Sequence, residues 1–279
     1  MTLGVELELL RALHAARRAV VAAVAYDLVT LEAIAAAGEA TGCPVIAQVG
    51  SSAFGLVHGP ALIAAARTVA GAVTAPVGLH LDHSRDLDEI RRCLDAGYTS
   101  VMIDGSRLSL GANIELSARA VEVARPYGVW VEAELGHLSG NEDRSVGAVA
   151  GQLTEPAEAA RFVADTGVDA LAVSIGNAHG RTATPVVLDL DLLAEIAEAT
   201  PVPLVLHGAS GVPDSMIAAA VELGVAKLNV NADLRAAHLG AITAHAAADP
   251  TGDDLPGALV AARGALTSYL TSLVNTFTA

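Results

Sequence analysis

Eight times along this chain a short apolar run is followed by a longer segment with helical spacing. The runs lie at residues 19–25, 44–49, 77–81, 100–103, 129–134, 170–175, 203–206 and 226–231. The helical segments lie at 31–41, 60–73, 86–96, 113–127, from 154 onward, 190–200, 213–223 and 233–248. An unbroken alternation of this kind implies a parallel sheet, because parallel neighbours need a crossover of a dozen or more residues. Runs that are apolar throughout fit strands covered on both faces. Eight units close into an α/β fold of the (β/α)8, or TIM barrel, type. The alternative, an open doubly wound sheet, normally carries a glycine-rich first turn. None follows the first strand, which ends at Tyr26-Asp27. The 279 residues suit one barrel of about 250 residues, so 1–279 is read as a single domain. A helix at 6–18 precedes the barrel, and extra C-terminal helices, ending with one at 256–276, follow the last strand.

Three details of this reading bear on function. Gly50 to Ala53 is read as a small-residue loop. Thr154-Glu155-Pro156 is read as a helix start, with Thr154 at the N-cap. Gly136 to Gly151 is too long for an ordinary strand-to-helix turn and reads as a lid or binding loop.

The formal net charge is −15, with no basic run or face, which excludes nucleic acid as the expected partner. The apolar stretch 19–25 is far short of the roughly 20 residues that span a bilayer, so no membrane partner is expected. The first residues lack a signal-peptide layout, which makes the cytoplasm the default location. Cys43 and Cys93, the only cysteines, read as core thiols.

A barrel of this type keeps its chemistry at the carboxyl ends of the strands. Those ends carry Asp27, Ser51, Asp82-His83, Asp104, Glu134, His179, His207-Gly208-Ala209-Ser210 and Asn229-Val230-Asn231. Charged groups are rarely buried unless paired or bound to metal. Taken singly, each histidine is better explained as a core or surface residue than as a ligand. Together at one barrel face, His83, His179 and His207 read as a metal site. Zinc suits it, since catalytic zinc takes three protein ligands and leaves a position open. The remaining histidines are read as structural or surface, with His80 in doubt because strand side chains alternate faces. Gly180, Gly208 and Gly211, with the Ser210 hydroxyl, either form a backbone nest for phosphate or are plain turn residues.

Several motifs resemble the class II fructose-bisphosphate and tagatose-bisphosphate aldolases. They are Leu79-His80-Leu81-Asp82-His83, Ser100 to Ser106, Val131-Glu132-Ala133-Glu134-Leu135-Gly136, Gly140-Asn141-Glu142-Asp143, Ala178-His179-Gly180 and His207-Gly208-Ala209-Ser210-Gly211. The resemblance runs in register over about residues 19–235. It implies a zinc-dependent barrel that cleaves a ketose (bis)phosphate to dihydroxyacetone phosphate and an aldehyde through a metal-stabilised enediolate. His83, His179 and His207 would hold the zinc. Asp104 and Glu134 would serve a second or alternative position, for a divalent or monovalent cation. Asp82 would be the acid/base at the C4 hydroxyl, and Glu142 would exchange the proton of the carbanion carbon. Gly180, Gly208 and Ser210 would hold phosphate, Asn229 the enediolate region, and Asn231, Asp27 and Ser51 other parts of the substrate. A sugar phosphate substrate and a homodimer or homotetramer follow from the same resemblance.

The chain departs from the family pattern where phosphates are held. Asp27 stands where asparagine is usual, Ala232 where threonine is common, and Thr251 where arginine often follows Asp249-Pro250. Arg181 stands where an aromatic or aliphatic residue is common, and is the candidate to supply replacement charge. A substrate lacking the second phosphate is therefore one alternative. A metal-dependent hydrolase on the same barrel and a non-catalytic sugar-phosphate binder are the others. Retention of Asp82, Glu142 and all three histidines argues against the binder.

Overall fold

The structure, a computed structural model, describes residues 4–54, 59–138, 151–180 and 186–279. In chain order the elements are α1 (Leu7–Ala15), β1 (Val20–Val24), α2 (Leu28–Thr41), β2 (Val45–Gln48), α3 (Ser51–Phe54), α4 (Gly59–Ala70), β3 (Val77–Ser84), α5 (Leu87–Asp95), β4 (Ser100–Ile103), α6 (Leu110–Ala124), β5 (Trp130–Leu135), α7 (Pro156–Thr166), β6 (Ala170–Val173), α8 (Leu190–Ala199), β7 (Leu204–Leu206), α9 (Asp214–Glu222), β8 (Val225–Val230), α10 (Ala232–Ala248) and α11 (Leu255–Phe277). All neighbouring strands pair in parallel, and β8 closes on β1, as the alternation requires. Every strand residue is buried except His83, which is half-buried.

Two apolar regions hold the barrel. The larger lies between the strands and the helices that cover them. The smaller fills the amino end of the barrel interior, where Val20, Ile46, Trp130, Ala170 and Val205 meet Val5, Leu10 and Leu13. The first helix therefore acts as a plug, and Trp130 Nε1 donates to the Val5 carbonyl at 2.8 Å. Burying side chains of this size stabilises the closed end by about 1.5–3 kcal/mol each. With that end sealed, the carboxyl end is the open one.

Two register irregularities shape the open end. Between β3 and β4, the steps from Leu81 to Ser84 oppose only those from Val101 to Ile103. One extra residue in β3 is a bulge, which re-aims side chains. Within the bulge His83 takes φ +50°, the left-handed region. In a regular strand Asp82 and His83 would face opposite sides. The bulge is what lets both serve one site. Between β7 and β8 the shift lies on β8, where Leu204 pairs with Val225 and Val205 with Lys227.

Several boundaries differ from the sequence reading. Gly50 to Ala53 is not a loop: Ser51 begins the short helix α3. The third strand runs on to Ser84, and the sixth stops at Val173. Thr154 does not cap α7, whose N-cap is Glu155. Its hydroxyl instead donates to the Leu135 carbonyl and accepts from Ser174 N at 2.8 Å, tying the ends of β5 and β6. The final helix lays Ala258, Ala262, Leu266, Leu270, Val274 and Phe277 against the rest of the fold, with α2, α10 and β1 as neighbours. Leu255 on the same helix is exposed. Among the described residues, no helix is long and apolar enough to cross a membrane.

Candidate metal centre and active site

His83 comes from the β3 bulge, Glu134 from β5, His207 from the residue after β7, and His179 from the loop beyond β6. Each offers a ligand atom, and all four atoms lie within 4.8 Å of one another. His83 Nε2 and His207 Nδ1 face each other at 3.0 Å. The three imidazole rings meet edge to face, with centroids 4.8–5.8 Å apart. Ligand atoms around a tetrahedral zinc with bonds near 2.05 Å stand about 3.3 Å apart, so this spacing is close to a binding geometry.

The donor chemistry fits a metal on three further counts. Glu134 Oε2 is buried and has no hydrogen-bond partner. Burial pushes the Glu134 carboxyl up, and His83, His207 and the Leu138 amide offset it only in part; a bound cation would favour the charged form. Burial also holds His179 well below its ordinary value, so it is a neutral imidazole with a free lone pair.

The third count concerns His207. Its Nε2 donates to Glu132 Oε1 at 2.8 Å, which leaves Nδ1 as the lone-pair nitrogen facing His83. Glu132 Oε2 in turn accepts from Lys227 Nζ at 2.8 Å. Both residues are fully buried. Burial would raise the Glu132 carboxyl, but Lys227 and then His207 outweigh it and hold it well below the carboxylate range. A carboxylate behind a ligand histidine fixes its tautomer and raises its basicity. Sequence reasoning missed both Glu132 and Lys227. The available signal was parity: Glu132 shares the inward phase of Glu134, and Lys227 that of Asn229.

His80 belongs to this same interior. Its ring stacks on Trp130 with centroids 5.2 Å apart, and Nδ1 lies 2.9 Å from Ser100 Oγ. Full burial, with Lys227 adding to it, drives its pKa down to about 3. It is a neutral core histidine under the site, not a ligand.

Asp82 lies beside the metal cluster and is almost fully buried. Its Oδ1 accepts from Gln48 Nε2 at 3.0 Å. The Asn229 amide nitrogen sits 3.5 Å from the same oxygen and 3.1 Å from His207 Nε2. Asn229 Oδ1 is buried without a partner. Asp104 Oδ2 stands 3.4 Å from His83 Nδ1 and also accepts from Arg85. Burial would raise the Asp104 carboxyl, but His83, Ser106 and Arg85 hold it well below the usual range. Asp104 is thus next to the cluster rather than part of it.

The loop His207 to Gly211 is held tightly. Gly208 takes φ +64°, and a Cβ there would run into the Ala178 carbonyl, so glycine is required. Gly180 and Gly211 also lie at positive φ. Ser210 Oγ faces Asn231 N and Asp233 N at 3.4 and 3.3 Å, at the start of α10. Gly211 N donates to Asp233 Oδ2 at 2.8 Å.

Other sequence-derived candidates are engaged elsewhere. Asn231 pairs with the Tyr26 hydroxyl, its Nδ2 donating at 2.9 Å. The Asp27 carboxylate caps α2, accepting from Thr30 N at 2.8 Å. Ser51 Oγ donates to Glu89 at 2.6 Å. Glu142 and Arg181 lie outside the described residues. The base of the 136–151 loop is fixed: His137 N donates to the Gln152 carbonyl at 3.0 Å.

The chain resembles known proteins over nearly its whole length. The sequence matches the family described as Fructose-bisphosphate aldolase class-II over residues 6–278. The YdjI aldolase of Escherichia coli K12 superposes with a TM-score of 0.88 at 29% identity, covering 99% of this chain and 97% of that one. A structure titled as a putative fructose-1,6-biphosphate aldolase from Coccidioides immitis gives 0.85 at 31% identity, over 97% and 96% of the two chains. A Campylobacter jejuni fructose-bisphosphate aldolase gives 0.80 at 21% identity over 97% and 93%, a likeness of fold.

Proposed function

Since the chain belongs to the class II fructose-bisphosphate aldolase family, whose members are carbon–carbon lyases, we propose that it is a zinc-dependent aldolase cleaving a ketose phosphate to dihydroxyacetone phosphate and an aldehyde. The observation that carries this reading is the convergence of three imidazoles and a buried carboxylate, whose Oε2 has no hydrogen bond, beside a buried aspartate. His83, His179 and His207 hold the zinc, with Glu134 as the further or alternative ligand. When bound, the metal supplies Lewis-acid stabilisation of the negative charge left next to the carbonyl.

The protein's own groups do the rest. Asp82 accepts the C4 hydroxyl proton as the C3–C4 bond breaks. Gln48, donating to Oδ1, keeps that carboxylate aimed and leaves Oδ2 for the substrate. Asn229 Oδ1 takes a substrate hydroxyl, which satisfies its buried lone pairs. Glu142 delivers a proton to the carbanion carbon that the cleavage leaves on the three-carbon fragment. Gly180, Gly208 and Ser210 hold the phosphate of the three-carbon product, and Asn231 steadies the adjoining wall through Tyr26.

One observation favours a substrate lacking the second phosphate. Asp27 caps a helix, Ser51 is bound to Glu89, and Thr251 folds onto Asp249 and Asp253. None of these positions, nor Ala232, offers a positive charge, and charge-assisted bonds are the strong ones for phosphate.

Replacing Asp82 with alanine tests the proposal. An aldolase loses turnover by roughly 10²–10⁴-fold while keeping its zinc and its affinity for dihydroxyacetone phosphate. Turnover within threefold of the parent would remove Asp82 from the mechanism.

A further inference from the structure

Asp104 and Glu134 end adjacent strands, and both carry buried carboxylates near His83. Their hydrogen bonding is opposite. Glu134 Oε2 has no partner, and Oε1 accepts only a long bond from Leu138 N at 3.5 Å. Asp104 is saturated. Its Oδ1 accepts from Ser106 N at 3.1 Å and Ser106 Oγ at 2.6 Å. Its Oδ2 accepts from Arg85 Nη2 at 2.9 Å and Nε at 3.3 Å, and faces His83 Nδ1 at 3.4 Å. A carboxylate offers about four lone-pair positions. Five donors already converge on this one, so none is left for a cation.

We propose that Arg85 is a positioning residue whose guanidinium, rather than a second metal ion, supplies the positive charge beside Asp104. It holds Asp104 against His83 Nδ1–H, and so keeps His83 Nε2 turned toward the metal. The inference rests on the metal-centre reading above and assigns that centre a single ion.

The chain places Arg85 for this role. It follows the β3 bulge by one residue, so the distortion that turns His83 inward also brings the guanidinium to Asp104. The arrangement parallels the one behind His207, where Glu132 is neutralised by Lys227. The difference is exposure: Lys227 is sealed in the barrel, whereas the Arg85 side chain is 55% exposed. Solvent weakens an exposed pair. The effect of losing Arg85 therefore belongs at the lower end of the roughly 10–100-fold range for groups supporting a metal ligand. Lysine at the same place would keep the charge but not the fork.

The test is zinc binding by chelator-stripped protein, with stoichiometry from elemental analysis and affinity from competition with a chromophoric chelator. The variants are Arg85→Met and Arg85→Lys. The expected result is one zinc per parent chain, about tenfold weaker binding in Arg85→Met, recovery to within about threefold in Arg85→Lys, and metal-free melting temperatures that stay together. Two tightly bound ions per parent chain would overturn the inference. So would Arg85→Met within threefold of the parent, or Arg85→Lys as weak as Arg85→Met. A parent that binds no zinc would instead remove the metal-centre reading itself.

Discussion

Glu132→Gln is the sharpest probe of how the barrel interior supports the metal. The parent side chain accepts two short bonds, from His207 Nε2 and Lys227 Nζ, both at 2.8 Å and both fully buried. Glutamine keeps the shape but has one acceptor oxygen and no charge. Either Lys227 loses its partner or His207 does. Removing one partner of a buried ion pair costs about 3–5 kcal/mol. At roughly 2–4 °C per kcal/mol for a chain of this size, the apparent melting temperature should fall by about 6–20 °C. Loss of the carboxylate behind His207 should also weaken zinc binding by about 10–100-fold, or about 1.4–2.7 kcal/mol. The two effects separate in Glu132→Gln combined with Lys227→Met. There the stranded ammonium is gone, so most of the stability returns while the zinc affinity stays low. Thermal melts in chelator and competition with a chromophoric chelator read the two quantities independently. A single Glu132→Gln variant that melts within 2 °C of the parent and binds zinc within threefold would show that Glu132 supports neither Lys227 nor the His207 ligand.

Two other perturbations test neighbouring parts of the account. His80 has a folded pKa near 3 against about 6.5 when unfolded, so the unfolded chain binds more protons between those values. Its contribution is complete above about pH 6.5 and is lost as pH falls toward 3, at up to about 1.4 kcal/mol per unit. The carboxylates of Glu132 and Asp104, held low when folded, add loss of the same sign only below about pH 4. His179, also held low by burial, adds loss of the same sign, so urea midpoints should drop between pH 6.5 and 4.5, and a flat profile there would contradict the burial of neutral imidazoles at both positions. Gly208→Ala places a Cβ against the Ala178 carbonyl at a left-handed position. It should cost more than about 1–2 kcal/mol and, by displacing His207, reduce the zinc content; normal zinc occupancy would count against the coupling of that loop to the ligand.

The barrel was legible because its strands are mostly apolar and each crossover carries a helical period. His83 and His207 were legible at the ends of such strands, and His179 in the short polar segment that follows one. What the sequence could not show was the bulge in β3. No residue type announces it, and without it Asp82 and His83 face opposite ways. Glu132 and Lys227 were hidden for a related reason. Inside a strand, one charged residue among apolar neighbours gives no hint of its partner, which here lies 95 positions away. The roles of Asp27 and Ser51 turn on which neighbour captures their oxygens. Thr30 and Glu89 do so through packing that residue type alone leaves open. Thr154 was read as a cap because its sequence context allows one, yet its hydroxyl is worth more bridging two buried strand ends.

Under the proposed function, a metal held by His83, His179 and His207 enables aldol cleavage. The most direct measurement is release of dihydroxyacetone phosphate from fructose 1,6-bisphosphate, tagatose 1,6-bisphosphate, fructose 1-phosphate and related deoxy-keto acid phosphates. Each is assayed with zinc, after chelation, and after zinc is restored. Release from at least one of them is expected, lost on chelation and regained with zinc, with the single-phosphate substrates preferred. Release that survives complete removal of the metal, or no release from any of them by protein carrying one zinc per chain, would contradict it.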